Sequence, residues 1–310
     1  MKSKKFKKIR RKIRYPLVYA LILSMIYVAR IFPRKMWLSL CGFLGGIAYY
    51  LASKTRKLTV KHLTMAYGSE KSAEEIKVLS KNIFKMLGKN AGDVIRAFHI
   101  HKKEDFDRIR ILNGVEHAHR AHEKGKGIVF ISAHYGAFEF IATELYLQGF
   151  NPLVIGTPMK DERLTKLLWK QRSKLGSIVI ERGKENMRLI KTLKSGGTFG
   201  ILIDQDTRVK SVFADFFGIP CATPVGGTLL AMKTGAAVVP IFIHLREDGF
   251  QEVNIYPEVE LSRTENEERD LIINSQKFNN LIETEIRKHP AQWMWFHERW
   301  KTRPEEMIDN

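Results

Sequence analysis

The stretch Ile128-Val-Phe-Ile-Ser-Ala-His134-Tyr-Gly136-Ala-Phe-Glu139 decides how this chain folds. Ile128 to Ser132 is a β-branched, aromatic run introduced by Gly125 and Gly127, the pattern of a buried strand. Phe138 onward to Leu147, ended by Gly149, reads as a helix. His134 therefore stands at the carboxyl end of a strand, where open α/β sheets tend to bind ligands. On one continuous helix, residues five apart point about 140° away from each other. A turn at Gly136 removes that obstacle and predicts that His134 meets Glu139. A carboxylate on one ring nitrogen fixes the imidazole tautomer and stabilises the imidazolium formed when the other nitrogen takes a proton. The competing reading is a histidine packed at a helix start with an unrelated surface glutamate.

Outward from this stretch the same alternation continues. Strands are predicted near 152–156, 177–181, 198–204, 237–244 and 251–256, and helices near 138–148, 162–175, 185–194, 225–234 and 266–288. Strands alternating with helices mean an α/β fold with a largely parallel sheet flanked by helices. Before the core, Ile76, Leu79, Ile83, Phe84 and Leu87 mark an amphipathic helix between Ser72 and His99.

Four further blocks surround this core in order. They are Gly200-Ile-Leu-Ile-Asp204-Gln205-Asp206, Phe213-Ala-Asp-Phe-Phe-Gly218-Ile-Pro220-Cys-Ala-Thr223, Leu230-Ala-Met-Lys-Thr-Gly235-Ala-Ala-Val-Val-Pro240 and Gln292-Trp-Met-Trp-Phe-His-Glu-Arg-Trp300-Lys. With the His134 segment, these resemble the blocks of the bacterial lipid A late acyltransferases, the lauroyl and myristoyl transferases of Kdo2-lipid A biosynthesis. The resemblance runs from about Leu38 to Pro304. One departure is visible: members often carry Asn-Trp before the acid, and here Ala137-Phe138 stands.

The resemblance implies an O-acyltransferase that moves a fatty acyl chain from an acyl carrier protein thioester to a hydroxyl of a lipid A precursor. His134 would be the general base and Glu139 its partner, with no nucleophile and no cofactor required. It places basic residues near Arg172 and Arg182, where a guanidinium fork suits a phosphate or a developing oxyanion. Asp204 and Gln205, ending an apolar strand, are expected in the same crevice as substrate-binding groups. Alternative readings are transfer to another glycolipid, a phospholipid or an amino-acid lipid from acyl-CoA, thioester hydrolysis, and, outside enzymes, a membrane-associated binding protein.

No metal is expected, because Asp204 and Asp206 lack a third ligand at a recognisable spacing. His117, His119 and His122 do not stack on one helix face. Thr223-Pro224 before Val225-Gly-Gly reads as a helix start with threonine as N-cap. Trp293, Trp295 and Trp300 read as core or, alternatively, as an interfacial belt or acyl-chain contacts.

At 310 residues and 44% apolar, the chain can bury a large core, and two cysteines are too few for a disulfide framework. Nine basic residues and no acid fall within residues 1–14, leaving +10 of the net +19 for the rest. That tail abuts the apolar run Leu17 to Ala29, which directs it to anionic lipid headgroups and away from nucleic acid. Residues 1–35 are thus read as basic tail and retained membrane anchor, and 36–310 as the acyltransferase domain, helical to about 112 with the α/β core after. The expected location is the bacterial inner membrane, with the domain at its cytoplasmic face. A simple span with the tail inside would put the domain outside, so a re-entrant or interfacial arrangement stays open. Trp37 to Leu51, a second apolar stretch, is expected to be a core helix.

Overall fold

Apolar periodicity becomes layered structure in the computed structural model, which describes residues 2–174, 176–181, 183 and 185–304, and residues 2–13 by backbone alone. The helical part comprises α1 (Lys2–Ile31), α2 (Arg34–Leu51), α3 (Ser53–Tyr67), α4 (Ala73–Arg96) and the short α5 (Lys103–Asp107). The core follows as β1 (Arg110–Asn113), α6 (Val115–Glu123), β2 (Ile128–Ser132), α7 (Glu139–Leu147), β3 (Leu153–Gly156), α8 (Glu162–Lys174), β4 (Ile178–Glu181), α9 (Asn186–Lys194) and β5 (Thr198–Leu202). After these come β6 (Ser211–Phe216), β7 (Ile219–Pro224), α10 (Gly226–Thr234), β8 (Ala237–Leu245), β9 (Gln251–Ile255) and α11 (Glu267–Lys288).

The sheet has seven strands in the order β1-β9-β8-β2-β5-β3-β4. Every pairing is parallel except β8 with β9. Residues of β2 are buried on both faces, as a central parallel strand requires. Ile128 and Phe130 join Phe140, Ile141 and Leu145 of α7 on one side. Val129 and Ile131 join Leu189 and Leu193 of α9, Ala231 of α10 and Phe278 of α11 on the other.

Two elements escape the sequence pattern. β1 is a four-residue edge strand too short to show a period. β6 and β7 form an antiparallel hairpin closed by Phe217 and Gly218, both at positive φ (54° and 68°), the geometry of a type I′ turn. Phe217 is held there by its amide, which donates to Glu283 Oε2 at 2.7 Å.

The hairpin corrects the reading of Thr223-Pro224 as a helix start. Thr223 lies in β7, fully buried, and its hydroxyl accepts from Arg299 Nη2 at 2.8 Å and Asn279 Nδ2 at 3.1 Å. With its side chain committed to tertiary partners, Thr223 is not the cap. α10 starts at Gly226 after Val225, with no side-chain cap bond.

The start of α4 is a capping box, in which Ser72 and Glu75 satisfy each other's amides. α2 packs on α4 where glycines let backbones touch: a Cβ on Gly45 would stand 2.2 Å from Phe84 O, and one on Gly88 2.2 Å from Cys41 O. This half of the prediction for 37–51 holds, since Trp37, Leu38, Cys41 and Tyr49 are buried. The opposite face of α2 remains exposed and apolar. In α1, Arg14–Ile31 is long and apolar enough to cross a membrane, with mean hydropathy 1.3 and 6% of the window buried.

Candidate active site

β2 delivers His134 to the carboxyl edge of the sheet, one strand away from the end of β5, which delivers Asp204. The parallel register that pairs Ser132 with Leu202 sets both residues two positions beyond paired partners, so side chains 70 residues apart in sequence meet. His134 Nδ1 lies 2.8 Å from Asp204 Oδ1, and the His134 amide donates to Asp204 Oδ2 at 2.9 Å. Trp293 Nε1 donates to the same Oδ2 at 2.7 Å. A carboxylate only accepts, so Nδ1 carries a proton, and in the neutral form of the ring the lone pair lies on Nε2.

Asp204 is 1% exposed. Burial would raise its pKa, but the His134 ring, the Trp293 indole and the His134 amide outweigh that and hold the carboxyl below the usual range. It is thus an ionised anchor beneath the imidazole.

This arrangement corrects the His134–Glu139 pairing. The carboxylate on Nδ1 is Asp204, while both oxygens of Glu139 face Arg172, at 2.8 Å from Nε to Oε2 and 2.6 Å from Nη2 to Oε1. Glu139 is the first residue of α7, and the helix start turns its side chain toward α8, which carries Arg172. The position also suits a negative charge, since it sits at the positive end of the helix. Asp204 is corrected as well: it is the buried support of His134, not a group facing substrate. Arg182 lies outside the described residues.

Gly136 permits the turn between His134 and α7. Its φ is +58°, and a Cβ there would stand 2.0 Å from Ile243 O of β8. On either side, Gly136 N donates to Gln292 O at 2.8 Å and Tyr135 forms a bridge with Trp293. The Trp-rich segment is accordingly core: Trp293, Trp295 and Trp300 are 2%, 0% and 4% exposed. Its contribution to the site is the indole donor on Asp204, which no local pattern announces.

His134, Glu139, Arg172 and Gln205 line one cavity of about 780 Å³, in the size range of small-molecule sites. Its apolar walls include Phe130, Ile141 and Leu145 on one side and Leu189, Leu229 and Leu230 on the other. Phe138, at the departure from the common Asn-Trp, also lines it, and its ring meets the His134 ring edge-on at 4.9 Å. The site thus joins an imidazole held by a carboxylate, an ion pair and a largely apolar cavity. Asp206 serves elsewhere, accepting from Thr302 N at 2.8 Å. His117 is 2.5 Å from Arg120, and His119 and His122 pack on the Phe150 ring, so α6 uses its histidines locally.

The chain is similar to known proteins over most of its length. Residues 3–302 match the family described as bacterial lipid A biosynthesis acyltransferase. The chain is 25% identical over 270 residues to the lipid A biosynthesis palmitoleoyltransferase of Escherichia coli K12, covering 84% of this chain and 83% of that one. It is 26% identical over 270 residues to the lauroyltransferase of the same organism, covering 86% and 85%. A phosphatidylinositol mannoside acyltransferase of Mycobacterium tuberculosis CDC 1551 is 26% identical over 207 residues, 64% of this chain and 63% of that one. With the family matching almost from end to end, this chain belongs to the bacterial lipid A biosynthesis acyltransferases.

Proposed function

We propose that this protein transfers a fatty acyl chain from an acyl carrier protein thioester to a hydroxyl of a lipid A precursor, at the cytoplasmic face of the bacterial inner membrane. The observation that carries the reading is His134 held on Asp204 at 2.8 Å at the wall of a largely apolar cavity that also holds the Glu139–Arg172 pair. His134 Nε2 takes the proton of the acceptor hydroxyl as its oxygen attacks the thioester carbonyl, and Asp204 stabilises the imidazolium. The tetrahedral oxyanion collapses, the C–S bond breaks, and the carrier's thiolate leaves with the proton returned by His134. Arg172, held by Glu139, supplies positive charge to the oxyanion or to an acceptor phosphate. Gln205 and Arg182 are further substrate contacts in this scheme.

The chamber suits an acyl chain, and the net charge of +19 suits both a phosphorylated lipid and an acidic carrier. Lipid A-type acceptors are preferred over phosphatidylinositol mannosides because the family matched over residues 3–302 is that of lipid A biosynthesis. The test is purified full-length protein with radiolabelled acyl carrier thioester and Kdo2-lipid A precursor, wild type against His134→Ala. Acylated lipid that falls about 10²–10⁴-fold in the variant is the expected result. Transfer that persists in the variant removes His134 as base, and free fatty acid without acylated lipid makes the protein a thioesterase.

A further inference from the structure

Beyond Arg34, Lys35 and Ser39 near its start, α2 is apolar on every side. One face is spent on α4 through Trp37, Cys41, Gly45 and Tyr49. The other presents Met36, Leu40, Phe43, Ile47 and Tyr50 at the 4-3-4-3 spacing of a single helix face, with Leu51 beside them, all from 39% to 79% exposed. A helix apolar all round is buried in protein or in lipid. Here half of it is buried in protein.

Charge identifies what covers the remainder. The first acidic residue of the chain is Glu70; the 69 residues before it hold sixteen Lys and Arg, nearly all of the net charge. Lys35, Lys54, Lys57 and Lys61 flank α2 in sequence and are exposed. An apolar face rimmed by cations fits a leaflet with anionic headgroups. α3 does not continue α2 as a broken span: the two meet at 93°, Thr59 is fully buried, and His62 Nδ1 donates to Trp295 O at 2.7 Å.

α1 is tied to the same body along its apolar length. The Arg163 guanidinium, paired with Asp161, lies 4.9 Å from the Tyr19 ring centroid. His99 Nε2 donates to Ile26 O at 2.7 Å, and Arg96 donates to Ala29 O and, at 2.8 Å, to Phe32 O. A crossing by Arg14–Ile31 would carry Arg163 and Asp161 into the hydrocarbon, where each ion costs about 2.5 kcal/mol or more. The nine cations within residues 1–14 outweigh Arg30, Arg34 and Lys35 at the other end, so a crossing would keep the tail inside and would have to translocate the whole folded domain.

We propose that α1 and α2 seat the protein in one leaflet without crossing, with α2 in the membrane plane and its Phe43 face among the acyl chains. This goes beyond the acyl-transfer reading and does not rest on it. The test uses full-length protein added from outside to vesicles of phosphatidylethanolamine and phosphatidylglycerol. Single cysteines M36C, F43C, Y50C and E258C carry an environment-sensitive fluorophore; native Cys41 and Cys221 are buried and leave labelling selective.

Lipids bearing a quencher near the headgroup should quench M36C, F43C and Y50C alike, and more than lipids quenched near the chain end, with E258C unaffected. A cysteine introduced as S3C should react with a membrane-impermeant maleimide as fast as E258C. F43C quenched no more than E258C, depth increasing from M36C to Y50C, or S3C protected while E258C reacts would each overturn the proposal. Emission at F43C that depends on protein density and not on quencher lipid would assign the face to a second copy, and would overturn it too.

Discussion

Asp204 Oδ2 accepts from the Trp293 indole at 2.7 Å while its Oδ1 faces His134 Nδ1 at 2.8 Å, so one buried carboxylate links the first strand-end of the site to the last aromatic segment of the chain. The positioning of His134 is therefore a tertiary event, and it can be dissected.

Asp204→Asn keeps the shape and removes the charge that fixes the imidazole tautomer. Turnover is expected to fall about 10²–10⁴-fold with little change in KM, measured by steady-state acyl transfer. Trp293→Phe keeps the ring and leaves Oδ2 one donor short, a cost of about 1–3 kcal/mol in unfolding free energy. Equal turnover in wild type and Asp204→Asn would show that the His134 geometry does not depend on this carboxylate.

Glu139 is paired with Arg172, and in the proposed reaction it would act through that guanidinium. In the double-mutant cycle of Glu139→Gln and Arg172→Gln, the two losses in kcat/KM should be far from additive, with coupling of about 0.5–3 kcal/mol. Additive losses would return Glu139 to an independent role, such as direct contact with the base.

His244 predicts an acid-side loss of stability. Burial, then the His289 ring stacked at 4.1 Å, lowers its pKa from 6.5 to about 4. The unfolded chain therefore binds a proton below pH 6.5 that the native state refuses until about pH 4. Since the unfolded state binds more protons in that window, stability rises with pH there, and falls by up to about 3 kcal/mol from pH 6.5 to 4. His244→Phe should flatten this part of the profile in urea unfolding of the detergent-solubilised protein.

The contact of α2 with α4 depends on bare backbone. Gly88→Ala sets a methyl 2.2 Å from Cys41 O, and should cost about 1–3 kcal/mol in thermal unfolding. Gly46→Ala is the control, because its Cβ meets only the Lys85 side chain, at 3.7 and 3.8 Å, which are ordinary contacts. Because alanine is the better helix former by about 1 kcal/mol, Gly46→Ala should be neutral or stabilising, and a similar gain in Gly88→Ala would show that the close contact with Cys41 is not what holds the two helices.

The sequence by itself determined where the core strands and helices run, because each is a local period: β2 falls at 128–132 as predicted, and the other predicted core elements lie within one or two residues of their expected bounds. It also singled out His134 at a strand end and the acids Glu139 and Asp204 as candidates. It did not show which acid holds the histidine. Five residues of separation and a glycine turn favoured Glu139, yet the start of α7 directs that side chain to α8 and Arg172. The adjacency of β2 and β5, made by pairing strands about seventy residues apart, brings Asp204 beneath the ring instead. Periodicity is written in neighbours along the chain, whereas a partner across the sheet exists only once strand order and register are set.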